Sequence, residues 1–115
     1  MAPRATLTVR LTDDAELRDL NRRFLGSDEP TDVLAFPSAD DPQLRGRHVG
    51  DIAISVERAQ AQAAESAVAE LRLLAIHGVL HCLGHDHDSA SRATAMTEVT
   101  RSLLPDQQIP QLLAP

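Results

Sequence analysis

The sequence predicts one small α+β domain (α/β in the looser sense), with about three strands in a mixed sheet packed with helices around a central, apolar, histidine-bearing helix. Three observations predict it. Segments 5–11 and 52–56 alternate apolar and polar residues with the period of half-buried strands. Residues 68–83 are apolar almost all round over a helical length, the pattern of a helix in the middle of a domain. The chain has 115 residues, 43% hydrophobic and 24% charged, which suits one hydrophobic core and an ordinary globular balance.

In the first strand, Ala5, Leu7, Val9 and Leu11 are expected on a buried face, with Thr6, Thr8 and Arg10 opposite. Asp13 followed by Glu16 reads as a capping box. Leu17, Leu20 and Phe24 then recur at helical spacing, predicting an amphipathic helix over 14–24 that stops at Gly26-Ser27-Asp28-Glu29-Pro30. Val33-Leu34-Ala35-Phe36, closed by Pro37, predicts a second strand. Residues 37–48 read as a long loop ending in Arg45, Arg47 and His48, and Ile52, Ile54 and Val56 mark a third strand near 49–56. Residues 57–65, rich in Ala and Gln, favour helix. The apolar helix over 68–83 stops at Gly84. Ser89 caps a last helix carrying Ala93, Met96, Val99 and Leu103, and Pro105 ends it. Residues 105–115, with three prolines, read as a loosely held tail. The patterns do not specify strand order or oligomeric state.

Composition narrows the function. The apolar runs are too short to span a bilayer, so no membrane partner is expected, and the first residues lack the apolar core of a signal peptide. One cysteine, Cys82, allows no internal disulfide framework, which makes the cytoplasm the expected compartment. The basic residues are eleven arginines with no lysine, and the only aromatics are Phe24 and Phe36. An RNA-binding sheet of stacked aromatics is therefore excluded. A net charge of −6 argues against coating nucleic acid by bulk charge but leaves room for a local cationic site.

The chemistry concentrates in His77-Gly78-Val79-Leu80-His81-Cys82-Leu83-Gly84-His85-Asp86-His87. His77 and His81 are four residues apart, on one helix face and about 6 Å apart along the axis. Two imidazoles so placed can share a metal ion at about 2 Å each. Gly84 permits a tight turn, and His87 can fold back as the third ligand. A lone core histidine is usually neutral and bonded to a carbonyl. A pair on one face of an apolar helix, with a third at the return, favours a metal. Zinc fits three imidazoles best, and other divalent first-row ions are also accepted. Three protein ligands leave a fourth position for water, the arrangement of catalytic zinc. Cys82 points about a quarter turn away from His81 and reads as a small core residue. Asp86 is a candidate second-layer acceptor for a histidine N–H, or a turn former. His85 is a candidate proton shuttle or an idle surface residue. The spacing is also that of H-E-x-x-H-x-x-G-x-x-H zinc proteases, but Gly78 stands where their glutamate base belongs, which places peptide hydrolysis behind other hydrolytic chemistry.

These residues resemble the YbeY family of single-domain metal-dependent endoribonucleases, also called rRNA maturation factors. Leu20-Asn21 and Pro30-Thr31-Asp32-Val33-Leu34-Ala35-Phe36-Pro37 are similar to the family's L-N and P-T-D-V-L-S-F-P. Gly50-Asp51-Ile52 with Ile54-Ser55 is similar to G-D-I-x-I-S, and residues 77–87 to H-G-x-L-H-L-x-G-Y-D-H. The resemblance implies zinc on His77, His81 and His87. It also implies cleavage of single-stranded RNA, maturation of the 16S rRNA 3′ end, ribosome quality control and contact with the small ribosomal subunit.

The chain departs from that pattern at His85 for tyrosine, Cys82 for leucine and Ala35 for serine. Leu25 stands where the family usually has an arginine proposed to act in catalysis. Arg22 and Arg23, just before it, are candidates to reach the phosphate or members of a solvated helix face. Arg45 and Arg47 are further candidates for substrate binding. The family usually has another strand and helix before residue 5, so an N-terminally short member is expected. That fits a shortened chain, a misassigned start, or a sheet edge covered by another subunit. Metal-bound hydroxide or the ribose 2′-hydroxyl are both open as nucleophile. A non-catalytic zinc-containing ribosome-assembly factor and, further off, a zinc metallopeptidase are the alternative functions.

Overall fold

The computed structural model describes residues 5–39 and 48–112. In chain order these form β1 (Thr6–Thr12), α1 (Asp14–Leu20), a π-helical turn (Asn21–Leu25), β2 (Val33–Pro37), β3 (His48–Ser55), α2 (Val56–Gln62), α3 (Ala67–Cys82) and α4 (Ala90–Leu103). Arg45 and Arg47 lie outside the described residues. Helix starts are fixed by short polar side chains. Asp13 accepts the Glu16 N–H at 2.9 Å, Ser55 the Arg58 N–H at 3.2 Å, Ser66 the Ala69 N–H at 3.1 Å and Ser89 the Arg92 N–H at 3.2 Å.

The sheet is mixed, in the order β1-β3-β2, with β1 parallel and β2 antiparallel to the central β3. Pleating sends alternate residues of β3 to opposite faces. Ile52 and Ile54 meet Leu74 and Cys82 of α3, Ala59 of α2, and Val33 and Ala35 of β2. Ala53 meets Leu34 of β2 and Leu17 of α1, with Leu20 and Phe36 beside them. Helix α3 therefore covers one face and α1 the other. Ser55, at the end of β3, donates to Asp14 at 2.5 Å, and the Arg58 guanidinium donates to the same carboxylate at 3.0 Å. This ties the start of α1 to the start of α2. The Asp14 carboxyl is held below the usual carboxylate range, first by Arg58 and then by Ser55.

Four expectations change. The apolar face of β1 is only partly covered, with Val9 42% and Leu11 58% exposed. β1 is an edge strand and α3 packs over β2 and β3, so only Leu7 joins the core beneath α3. The helix expected over 14–24 changes to a π-helical turn at Asn21 and ends when Gly26, at φ 73°, donates its N–H to the Asn21 carbonyl. The helix expected over 57–65 stops at Gln62. The loosely held tail is tied down over residues 105–112. Ile109 is buried and its carbonyl accepts Arg101 Nη2 at 3.0 Å, Gln107 Nε2 donates to the Ala69 carbonyl at 3.0 Å, and the Leu112 N–H donates to Thr97 Oγ1 at 3.0 Å.

Gly50 sets how closely the C-terminal end of α3 approaches the sheet. A Cβ there would lie 2.6 Å from Cys82 Sγ and 2.7 Å from the Phe36 carbonyl oxygen. The carbonyl belongs to the β2–β3 ladder and has no room to retreat. Gly50→Ala is expected to destabilise the protein by about 1–3 kcal/mol through overpacking. Urea titration would read this as a lower midpoint at unchanged slope.

Candidate metal centre

Helix α3 presents His77 and His81 one turn apart, on the same face. Its end is closed by the Leu83 N–H to Val79 and the Gly84 N–H to His81, both at 3.0 Å, and the His85 N–H to Leu80 at 2.9 Å. Gly84 adopts φ 97°, a left-handed conformation in which glycine carries no Cβ penalty, and the chain reverses there. Asp86 Oδ1 then accepts the His87 backbone N–H at 2.7 Å, turning His87 back toward the helix. The three rings converge. Their centroids are 4.6 Å (His77–His81), 5.7 Å (His77–His87) and 5.6 Å (His81–His87) apart. The Nε2 atoms of His77 and His81 are 3.0 Å apart, and one nitrogen of each of the three histidines lies within 4.8 Å of the others.

The donor set fits a first-row metal ion. Zinc–nitrogen bonds of about 2 Å place neighbouring tetrahedral ligands roughly 3.3 Å apart, within that span. Among the described residues no carboxylate or thiol joins the group. Burial lowers the His77 pKa to about 4, helped by His81 and His87 and opposed by Asp32 and Asp86. Burial also lowers that of His81. Near neutral pH both rings are thus uncharged, the protonation state in which imidazole binds a metal.

The histidines form one wall of a cavity of about 450 Å³, with Gly78 beside them. The opposite wall is Thr31, Asp32 and β2, placed there by the antiparallel pairing of β2 with β3. Asp32 is held at both ends: its carbonyl accepts the Ser55 N–H at 2.9 Å and its Oδ2 accepts Gln62 Nε2 at 2.9 Å. Gly78 is fixed by packing, since a Cβ there would meet Ile52 Cγ2 at 2.7 Å. Position 78 thus has no room for a glutamate while Ile52 keeps its place.

The other candidates fall outside this cavity. Arg22 and Arg23 both bond to Asp19, at 2.6 and 3.4 Å, and neither lines the cavity. Leu25 is 61% exposed, and among the described residues no arginine lines the cavity. His85 is half-buried and is not among the lining residues. Asp86 serves the turn through the His87 main chain, while its charge favours protonation of His77 and His81. Cys82 is buried against Gly50, and burial pushes its thiol pKa up. Sequence reasoning gave no role to Thr31 or Asp32. The Pro30–Pro37 block marked the segment, but only the strand pairing shows that it faces the histidines.

The family model for Endoribonuclease YbeY matches residues 1–108. A relative from Chelativorans sp. (strain BNC1), named "Endoribonuclease YbeY", is 44% identical over 87% of this chain and 64% of its own length. Relatives of the same name from Roseiflexus sp. (strain RS-1) and Gloeobacter violaceus are 46% and 49% identical, over 83% and 84% of this chain and 68% and 55% of their own lengths. The chain thus spans between about half and two thirds of these curated relatives. The solution structure of TM1509 from Thermotoga maritima superposes with a TM-score of 0.57 at 29% identity, covering 86% of this chain and 65% of that one. With the family model matched over nearly its full length, the chain belongs to the Endoribonuclease YbeY family.

Proposed function

We propose that the chain is a zinc-dependent endoribonuclease that hydrolyses phosphodiester bonds in single-stranded RNA, held by His77, His81 and His87 to one ion. The carrying observation is the convergence of three histidine nitrogens on one cavity wall in a member of this family. When bound, the ion would supply a Lewis acid that polarises water and offsets negative charge on the phosphate. The finer part of the reading rests on the family alone: the 3′ end of 16S rRNA as substrate, ribosome quality control, the small subunit as partner and the cytoplasm as compartment. No helix among the described residues is long and apolar enough to cross a membrane.

The chain's own residues do the rest. His77 and His81 stay uncharged in their half-buried setting, so each keeps one ring nitrogen with a lone pair for a metal and one N–H donor. β2 and the Thr31–Asp32 wall shape the slot opposite them. In hydrolysis a P–O bond forms to water and the P–O bond to the leaving sugar oxygen breaks. Water gives up a proton and the leaving oxygen takes one. The lack of arginine in the described cavity wall favours a second reading, a zinc-containing assembly factor without turnover. The same experiment separates the two.

Purified protein is expected to contain one zinc per chain and to cut single-stranded RNA. A chelator or His81→Ala should abolish cleavage, with His77→Ala doing the same. Stoichiometric zinc and ribosome association without cleavage would select the assembly factor, and cleavage by metal-free protein would refute the metal centre.

The depressed His77 pKa also sets an acid limit on the metal-free protein. Between pH 6.5 and about 4 the unfolded chain takes a proton on His77 that the folded chain refuses. This contribution to stability is complete above pH 6.5 and declines as pH falls to about 4. Melting temperatures of metal-free protein should fall across that window, less steeply in His77→Phe.

A further inference from the structure

Asp32 is the one carboxylate lining the histidine cavity among the described residues, and no described arginine lines the cavity beside it. In a slot that takes a phosphodiester, such a carboxylate repels the substrate, so binding of RNA does not account for it. It is not a surface side chain left at random either. Its main chain is fixed by the Ser55 N–H and its Oδ2 by Gln62 Nε2, which also donates to Glu70 at 2.7 Å. Among the described residues Oδ1 takes no hydrogen bond. The carboxylate lies close enough to His77 for its charge to favour protonation of that ring. Yet it stands outside the group of nitrogens that lie within 4.8 Å of one another. An acceptor that lines the same cavity but stands outside the ligand group can act on a water lying in that cavity.

We propose that Asp32 is a catalytic residue whose free oxygen accepts a hydrogen bond from the attacking water and aims that water's lone pair at phosphorus. The proposal rests on the hydrolytic reading of the cavity. Gln62 is the positioning residue, since it pins the other carboxylate oxygen and fixes the direction of the free one. His85 and Asp86 lie outside the cavity lining, which leaves Asp32 as its anionic acceptor among the described residues.

The test compares wild type, Asp32→Ala and Asp32→Asn by turnover and KM on a single-stranded RNA, by zinc content, and by RNA binding to metal-free protein. Asp32→Ala is expected to lose about 10- to 100-fold in kcat, with zinc content unchanged. Its KM should be unchanged or lower, and its metal-free form should bind RNA as tightly as wild type or more tightly, because a repelling charge has gone. Asp32→Asn should also lose turnover, because its single carboxamide oxygen cannot accept from both Gln62 and the water. Should Asp32→Ala fail to fold, Asp32→Asn carries the test alone, with lowered kcat at undiminished RNA affinity. Unchanged turnover, a loss confined to RNA affinity, or loss of zinc would each overturn the proposal. Zinc-loaded wild type that leaves RNA intact would overturn the hydrolytic reading itself and the proposal with it.

Discussion

The site depends on how closely α3 lies on the sheet. At two places the contact is made without an intervening side chain. Gly78 on the helix sits against Ile52 of β3, and Gly50 on β3 sits against Cys82 at the helix end. Both contacts leave less than a normal Cβ distance. They fix the height of the helix above the strands and its rotation about its own axis. With Gly78 turned to the sheet, His77 and His81 face the side where β2 runs. A larger residue at either glycine would lift the histidines from the wall that completes their cavity.

Electrostatics follows from the same packing. The chain carries a net charge of −6, and its described arginines are largely engaged by neighbouring carboxylates: Arg10 by Glu16, Arg18 by Asp28, Arg22 and Arg23 by Asp19, Arg58 by Asp14, Arg92 by Asp88. Most of these pairs are exposed and contribute little to stability. They do leave the cavity without a described cation of its own. Burial then keeps His77 and His81 neutral. Among the described residues that line the cavity, the groups able to hold a cation are the three imidazoles and Asp32.

Features governed by neighbours along the chain were legible in the sequence. The caps at Asp13 and Ser89 and the stop at Gly84 are local, and the structure places them as expected, while the spacing of His77, His81 and His87 is local too and brings one nitrogen of each within 4.8 Å of the others. Features decided by distant partners were not. Val9 and Leu11 have the alternation of a buried face, but burial requires a covering element, and α3 lies over the other two strands. Three prolines make residues 105–115 look loose, yet prolines do not prevent Ile109 from lodging against α4 or Gln107 from reaching back to α3. The π-helical turn at Asn21 has no signature in apolar spacing. There the buried Asn21 side chain donates to the Glu29 carbonyl at 3.0 Å and closes the loop that leads into Thr31 and Asp32.

The position after the first histidine shows how packing selects among chemistries with one spacing. In H-E-x-x-H sites the glutamate at that position is the base. Here the position serves as the contact between helix and sheet, and a side chain would collide with a fully buried isoleucine. A helix seated this deeply gives up the general base that its own sequence could have supplied. Among the described residues lining the cavity, the carboxylate comes instead from the segment entering β2, at Asp32. The strand pairing brings that residue there, and hydrogen bonds at both its main chain and its carboxylate hold it in place.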